Sequence, residues 1–519
     1  MRRYCILAGG LFLYGCGGDD APPPSTSNPP SEPTLAVTLS PSATAQDADD
    51  TNSKVTFTLE ATYTGSSSDA IVPVIEYDDS FIRQSGAFSS NGKTFSTEFE
   101  TLDGLLAGDY SSTIRFRLCK ETACSTVYPG SSKTFTYSLD VAIAPWTNRQ
   151  RNAAHNGYVR AKFDPATISQ AWQFVPSGAY AFNEVSARGE QIFATYRSSD
   201  GRTKAVALRT STGSVDWNYD LGEVHYGTSG PSLAGDKLLI ATMVSSSGNN
   251  KLVALNADTG SFLRNMIFAS QWSTFAPPAA VADSVYLASG YYGNVVYGWN
   301  LSDYTKRFEA SGSAGDVWDG QTPAVDEDNV YYYSGNLDVV DRLTGTLIKS
   351  IDDPEWVWNG YSYGGTPMLG ADGSVTAFSG TGQGSYPNVG FKLVNFDVAA
   401  NTHRWHTADA FHGIPAVANG TVYAFSNETS QLAAINETNG ATLFAVPRPS
   451  GQEFRHNIIV TENLLFFSGS SSVYAVDLET KAIVWEANTP GQLAIGPDNQ
   501  LLVASPNTGV LTAYRLEFL

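Results

Sequence analysis

A unit of about 44 residues recurs from Glu184 to Leu519, and it limits the fold more than any other feature of the chain. Each copy reads as a small residue or Pro, an apolar pair, a Gly/Asp/Asn turn, a second apolar pair, Ala or an aromatic, then Ser/Thr. Copies run from Glu184 to Thr195, Pro231 to Thr242, Pro278 to Ser289, Pro323 to Ser334, Pro367 to Ser379, Pro415 to Ser426, Asn457 to Ser468 and Gln492 to Ser505. The apolar residue opening the second run falls at Ile192, Leu238, Val285, Val330, Val375, Val422, Leu464 and Leu501, in steps of 46, 47, 45, 45, 47, 42 and 37. Short strands repeated at this spacing bury their apolar faces only by stacking on their neighbours.

The second half of the unit is also periodic. Third strands are expected at Val206-Ala207-Leu208, Val253-Ala254-Leu255-Asn256, Ala434-Ile435-Asn436 and Tyr474-Ala475-Val476-Asp477. They lead into turns at Thr212-Gly213, Thr259-Gly260, Thr344-Gly345 and Asn439-Gly440, where glycine takes a positive φ without steric cost. Fourth strands often carry Trp, as at Trp217, Trp405 and Trp485. The eighth copy stops in its third strand, whereas Ile168 to Phe174 reads as a lone fourth strand. Pairing of the two would close a ring and remove the exposed edges. The expected fold class is therefore all-β, an eight-bladed β-propeller over residues 146–519.

The front of the chain is organised differently. A cationic start, Arg2-Arg3, and an apolar run from Tyr4 to Leu13 read as a signal peptide (1–15), with Cys16 at a lipoprotein-type processing site. Six prolines among polar residues make 16–34 an extended tether. Residues 35–143 carry period-two runs such as Val55 to Leu59, Thr113 to Leu118 and Phe135 to Val141, the pattern of an immunoglobulin-like β-sandwich. In an oxidising compartment Cys119 and Cys124 are expected to form a disulfide; the alternative redox or metal role lacks a CxxC motif or a clustered His. Asp47, Asp49 and Asp50 read as a solvated turn, with calcium binding as the alternative.

Charge excludes some partners. Lys plus Arg number 31 against 51 Asp plus Glu, a net charge of −20, so there is no basic face for nucleic acid. Membrane attachment would depend on acyl chains rather than on attraction to anionic headgroups.

The motif Ala/Val-x-Asp/Asn-x-x-Thr-Gly-x-x-x-Trp resembles the pyrroloquinoline-quinone (PQQ) type propeller repeat. Trp146, Arg149, Asn152, His155 and Gly157 are similar to the segment that often precedes such propellers. The resemblance spans Trp146 to Leu519 and covers both quinoprotein dehydrogenases and non-catalytic, BamB-like lipoproteins. It implies an outer-membrane lipoprotein, periplasmic or surface facing, acting as an envelope interaction scaffold beside outer-membrane barrel assembly components. The alternatives are a quinoprotein-like oxidoreductase using PQQ, or a surface adhesin or glycan binder.

No cofactor and no metal site are expected, and an enzyme is the less favoured reading: the propeller contains no cysteine, and its carboxylates are scattered. The repeat tryptophans Trp172, Trp217, Trp405 and Trp485 are expected to pack blades together. His403 and His406, three apart on a strand, are expected to face opposite ways. One group survives as a candidate binding face, in the loops from each fourth strand to the next first strand: Trp272, Phe275, Trp318, Asp319, Trp356, Trp358, Asn359, Tyr361, Tyr363, Phe411, His412, Phe454 and Arg455. Phe182, Tyr226 and His225 belong to the same series. Aromatics with a few polar groups on one face suit a protein partner.

Overall fold

The computed structural model describes residues 32–223, 227–243, 250–270, 277–289, 295–313, 321–356, 366–379 and 391–519. Cys16, His225, Tyr226, Trp272, Phe275, Trp318, Asp319, Trp358, Asn359, Tyr361 and Tyr363 lie outside the described residues.

Residues 36–142 form two facing sheets. One orders Ala36–Pro41, Thr56–Thr64, Thr94–Thr101 and Ile82–Gln84; the other orders Ala45–Asp49, Lys133–Ala142, Gly108–Cys119 and Val72–Glu76. Along Thr56–Thr64 the apolar residues Phe57, Leu59 and Ala61 point inward while their neighbours face water, as period-two alternation requires. Phe57 stacks on Tyr137 at 4.1 Å between ring centroids, joining the two sheets. A disulfide links Cys119 and Cys124. Asp47, Asp140 and Asp109 stand in register on three adjacent strands. Burial raises the Asp140 carboxyl above its usual range, and the two neighbouring carboxylates add to the shift.

The remainder of the chain is a succession of antiparallel groups of four strands. The first contains Ser186–Arg188, Gln191–Ser198, Arg202–Arg209 and Val215–Glu223, with Ala179–Phe182 beside Gln191–Ser198. Later groups repeat this order, and Thr402–Ala418 serves as fourth strand of one group and first strand of the next. The expected pairing of the first and last strands is present: Ser169–Phe174 pairs with Leu511–Arg515 and completes the group formed by the last three strands. Buried residues of this last group, Ile495 and Leu502 among them, share one apolar cluster with Ile192 and Val206 of the first.

Position within the group explains the sequence pattern. All the anchors of the second strands, from Ile192 to Leu501, are buried. These strands are covered on both faces by neighbouring groups, so they read as nearly continuous apolar runs. The fourth strands lie outermost and alternate, as in Phe262–Phe268, where Met266 and Phe268 are buried and Phe262 is exposed.

The Gly and Trp of the repeat meet across groups. Trp172 covers Gly213, Trp217 covers Gly260 and Trp405 covers Gly440, each indole lying where a glycine Cβ would otherwise stand. Their Nε1–H groups donate to the carbonyls of Thr210 (2.6 Å), Ala257 (2.8 Å) and Glu437 (2.8 Å). Each of these tryptophans is thus an inter-group clip, and the turn glycine both adopts positive φ and leaves room for the ring. Phe308 makes the equivalent contact with Gly345.

Candidate functional site

The two ends of the ring are built from different chemistry. One end is closed by residues 146–159, whose backbone contacts one group after another. Trp146 exchanges hydrogen bonds with Ala187; then Leu233 N donates to Thr147 O, Val325 N to Ala153 O, Leu369 N to Ala154 O, Val417 N to Asn156 O and Val460 N to Gly157 O. Asn148 spans the remaining gap through its side chain, donating to Ala280 O at 2.9 Å and accepting from Ala280 N at 2.6 Å. All these partners stand where a first strand turns into its second. The described ends of the fourth strands, where the chain turns toward the next first strand, therefore lie at the opposite end, which this plug leaves open.

The inner proline carbonyls find their donors in neighbouring groups or in the plug. Ser186, Ser232 and Thr322 donate to Pro231, Pro278 and Pro277 carbonyls in neighbouring groups. For Pro367 and Pro415 the plug supplies the donor: His155 Nδ1–H to Pro367 O at 2.9 Å, and Gln150 Nε2–H to Pro415 O at 2.6 Å. Gln150 also donates to Ile458 O at 2.9 Å, and its Oε1 accepts from Asn457 at 2.8 Å. Burial pushes the His155 imidazole down to about 4, only partly offset by the bond to Pro367, so it is neutral near pH 7. Arg149 pairs with Glu184, with an Nε to Oε1 distance of 3.0 Å. Trp146, Arg149, Asn152, His155 and Gly157, singled out in the sequence, all belong to this plug.

The described residues of the open end correct part of the expected binding face. Phe182, Phe411 and Phe454 are buried at 1%, 3% and 4% exposure, so they do not present a surface. Phe454 stacks on Phe425 of the preceding group at 4.5 Å and meets Phe467 of its own group edge-on at 5.4 Å. These rings pack groups together because counting back from an anchor fixes a position along the strand but not the side on which the ring lies. Arg455 is exposed and paired with Glu453. His412 bonds Asn427 and Phe454 O, and burial lowers its imidazole. Trp356 is half-buried over Gly335.

A polar cluster beside Trp356 was not foreseen. His406 Nε2–H donates to Asp353 Oδ1 at 2.7 Å and the Tyr333 hydroxyl donates to Asp353 Oδ2 at 2.6 Å. Burial alone would raise the Asp353 carboxyl, but the bonds from His406 and Tyr333 outweigh it and hold the group below its usual range. The His403 and His406 rings lie 4.4 Å apart, against the expectation of opposite faces. The register shifts between Asn395 and Phe396, which face Trp405 and His403, and this bulge breaks the alternation. Among the described residues no three His, Cys, Asp or Glu side chains are placed to hold a metal ion.

The Asp47, Asp49 and Asp50 run divides three ways. Asp47 lies in the acidic row, Asp49 Oδ1 accepts from Thr51 and Asn52, and Asp50 is buried against Arg151. The solvated-turn expectation fails for Asp50, whose side chain is enclosed between the sandwich and the plug.

The sequence profile of the outer membrane protein assembly factor BamB family matches residues 136–308 and 339–494. The chain belongs to the BamB family. Among solved structures, BamB from Moraxella catarrhalis has 18% identity and a TM-score of 0.50, over 67% of this chain and 97% of that one. The C-terminal WD40 domain of Sif2 has 11% identity and a TM-score of 0.48, over 67% and 98%. Quinohemoprotein alcohol dehydrogenase from Comamonas testosteroni has 11% identity and a TM-score of 0.42, over 72% and 81%. No curated protein matches the sequence. This BamB-family chain is an all-β protein with a β-propeller built of PQQ-type repeats.

Trp172, Trp217 and Trp405 offer no platform for the quinone suggested by the repeat. A quinone platform needs an open indole face, whereas Trp172, Trp217 and Trp405 are clamped over glycines with their Nε1–H groups occupied. The propeller also has no cysteine to form the disulfide platform that the resemblance to quinoprotein alcohol dehydrogenases implies.

Proposed function

We propose that this chain is a lipid-anchored, non-catalytic interaction scaffold of the cell envelope, with an eight-bladed propeller behind an immunoglobulin-like sandwich. Cys16 is the lipidated residue, the outer membrane its location, and outer-membrane barrel assembly components its partners. The match to the BamB family over both segments carries this reading. The plugged end supports it, because a ring closed on one side by its own chain offers the open end to a partner. Within that end, the loop holding Trp358, Asn359, Tyr361 and Tyr363 beside Trp356 is the proposed contact, since aromatic side chains supply much of the energy of protein interfaces.

Crosslinking the chain in intact cells, with denaturing purification and mass spectrometry, tests the reading. Recovery of barrel assembly components that is lost in Trp358→Ala/Tyr361→Ala supports it. Recovery of no envelope protein, or of the same partners from that variant, overturns the scaffold or its proposed face respectively. A chromophore taken up from added PQQ and calcium, with dye reduction by alcohols or sugars, would establish the oxidoreductase alternative.

A further inference from the structure

The sandwich and the ring meet at one enclosed polar point set in a shared apolar contact. Asp50 comes from the sandwich and Arg151 from the plug, with side chains 0% and 4% exposed. The Asp50 carboxylate takes more than this ion pair: Oδ1 also accepts from Ala144 N at 2.8 Å, and Oδ2 accepts from Arg160 N at 2.9 Å. Both oxygens are thus satisfied by groups that follow the sandwich in the chain. Ala107 N, at the start of the longest sandwich strand, donates to Arg160 O at 2.8 Å. The side chain of Ala107 lies in the same buried cluster as Trp146, Val159, Ala187 and Ile495. The Arg160 guanidinium fills the space a Cβ would need at Gly104.

The chain enters the sandwich from the other end. Leu35 N bonds Pro129 O, Thr34 and Leu35 lie against Gly65 and Gly130, and Glu32 pairs with Lys120 at 3.5 Å. Between these points runs Gly108–Cys119, 12 residues long. At a rise of about 3.3 Å per residue it separates the two ends by roughly 35–40 Å.

We propose that Asp50 is a lock that makes the sandwich a rigid stalk fixed to the plugged end of the ring, with the N-terminal tether leaving from the stalk's far end. A freely jointed module would bury neither charge, because an enclosed carboxylate is tolerated only where partners fully satisfy it. The open end of the ring is consequently held at the opposite extreme of the molecule from the tether. Where that end meets its partner rests on the scaffold reading, but the lock itself does not.

Double electron–electron resonance on the full chain tests the lock, with spin labels at Ser66→Cys on the far end of the sandwich and Thr438→Cys on the ring, and with Cys5 and Cys16 replaced by Ser. The native chain should give one narrow distance distribution. Asp50→Ala should broaden it at least twofold while the Ile114 and Val253 amides keep their hydrogen-exchange protection, showing that sandwich and ring remain folded. Should Asp50→Ala lose that protection, Asp50→Leu/Arg151→Met, which leaves no unpaired charge, decides the matter by the same broadening. A distribution already broad in the native chain, or unchanged in a folded variant, overturns the lock. A narrow native distribution that Asp50→Ala broadens, in a chain that captures no envelope partner, would instead count against the scaffold reading alone.

Discussion

The plugged and open ends of the ring divide two tasks that the repeat alone would leave identical. At the plugged end a single segment supplies a backbone or side-chain partner to successive groups, and its polar side chains are enclosed. At the open end the described aromatics Phe182, Phe411 and Phe454 are taken up in packing, while Arg455 faces water. One segment thus ties successive groups together at the plugged end, whereas at the opposite end the described contacts are made between neighbouring groups themselves.

Removing Trp146 gives the strongest test of this contrast. Trp146→Ala takes away a side chain buried at 2% exposure and should cost about 3–5 kcal/mol in chemical denaturation. A loss below about 1 kcal/mol, the size of an ordinary substitution, would mean that the plug does not hold the ring.

Acid should act through His155. Its folded pKa of about 4 lies below the unfolded value near 6.5, so its contribution is complete above pH 6.5 and is lost as pH falls toward 4. The loss across that window is on the order of 3 kcal/mol. His155→Gln should flatten this dependence but leave the part due to His456, which burial and Arg455 also push down to about 4. An unchanged pH profile in denaturant midpoints would remove His155 from the account.

Gly157→Ala should cost about 2 kcal/mol, because φ is +62° and the new Cβ would stand 2.6 Å from Gln150 Nε2 and 3.1 Å from Ile458 O. Thermal unfolding at pH 7 measures it, and a neutral result would show that the plug relaxes locally. Smallest of all, Trp358→Ala should shift stability by no more than about 0.5 kcal/mol while reducing partner capture. A large destabilisation there would make the open end structural too, and the contrast between the ends would fail.

Much of the ring was legible because its second strands are enclosed on both sides, so that Ile192 to Leu501 recur as apolar anchors whatever the loops do. The tryptophans were readable as packing residues and the glycines as turn residues, since both belong to the repeat, but that one covers the other in the next group was not. The closing pairing of Ser169–Phe174 followed from a surplus strand at one end and a deficit at the other. Contacts without periodicity were not readable. Nothing local in Asp50 distinguishes it from Asp47 or Asp49, because its partner lies 101 positions away. His403 and His406 were misassigned because strict alternation was assumed across a bulge, and Phe454 because sequence spacing does not say on which side of a strand a ring packs.

The plug also bears on how such a ring can change in evolution. Repeats are readily gained and lost by duplication, but here seven groups in succession, from that of Ala187 to that of Val460, each take a partner from a further residue between 146 and 157. Loss of one of these groups would leave a carbonyl or side chain of that segment without its partner, and insertion of one would leave a first-strand amide unmatched. Residues 146–157 therefore act as a gauge along seven groups of the ring: their succession is written twice, once in the repeats and once in the chain that runs past them.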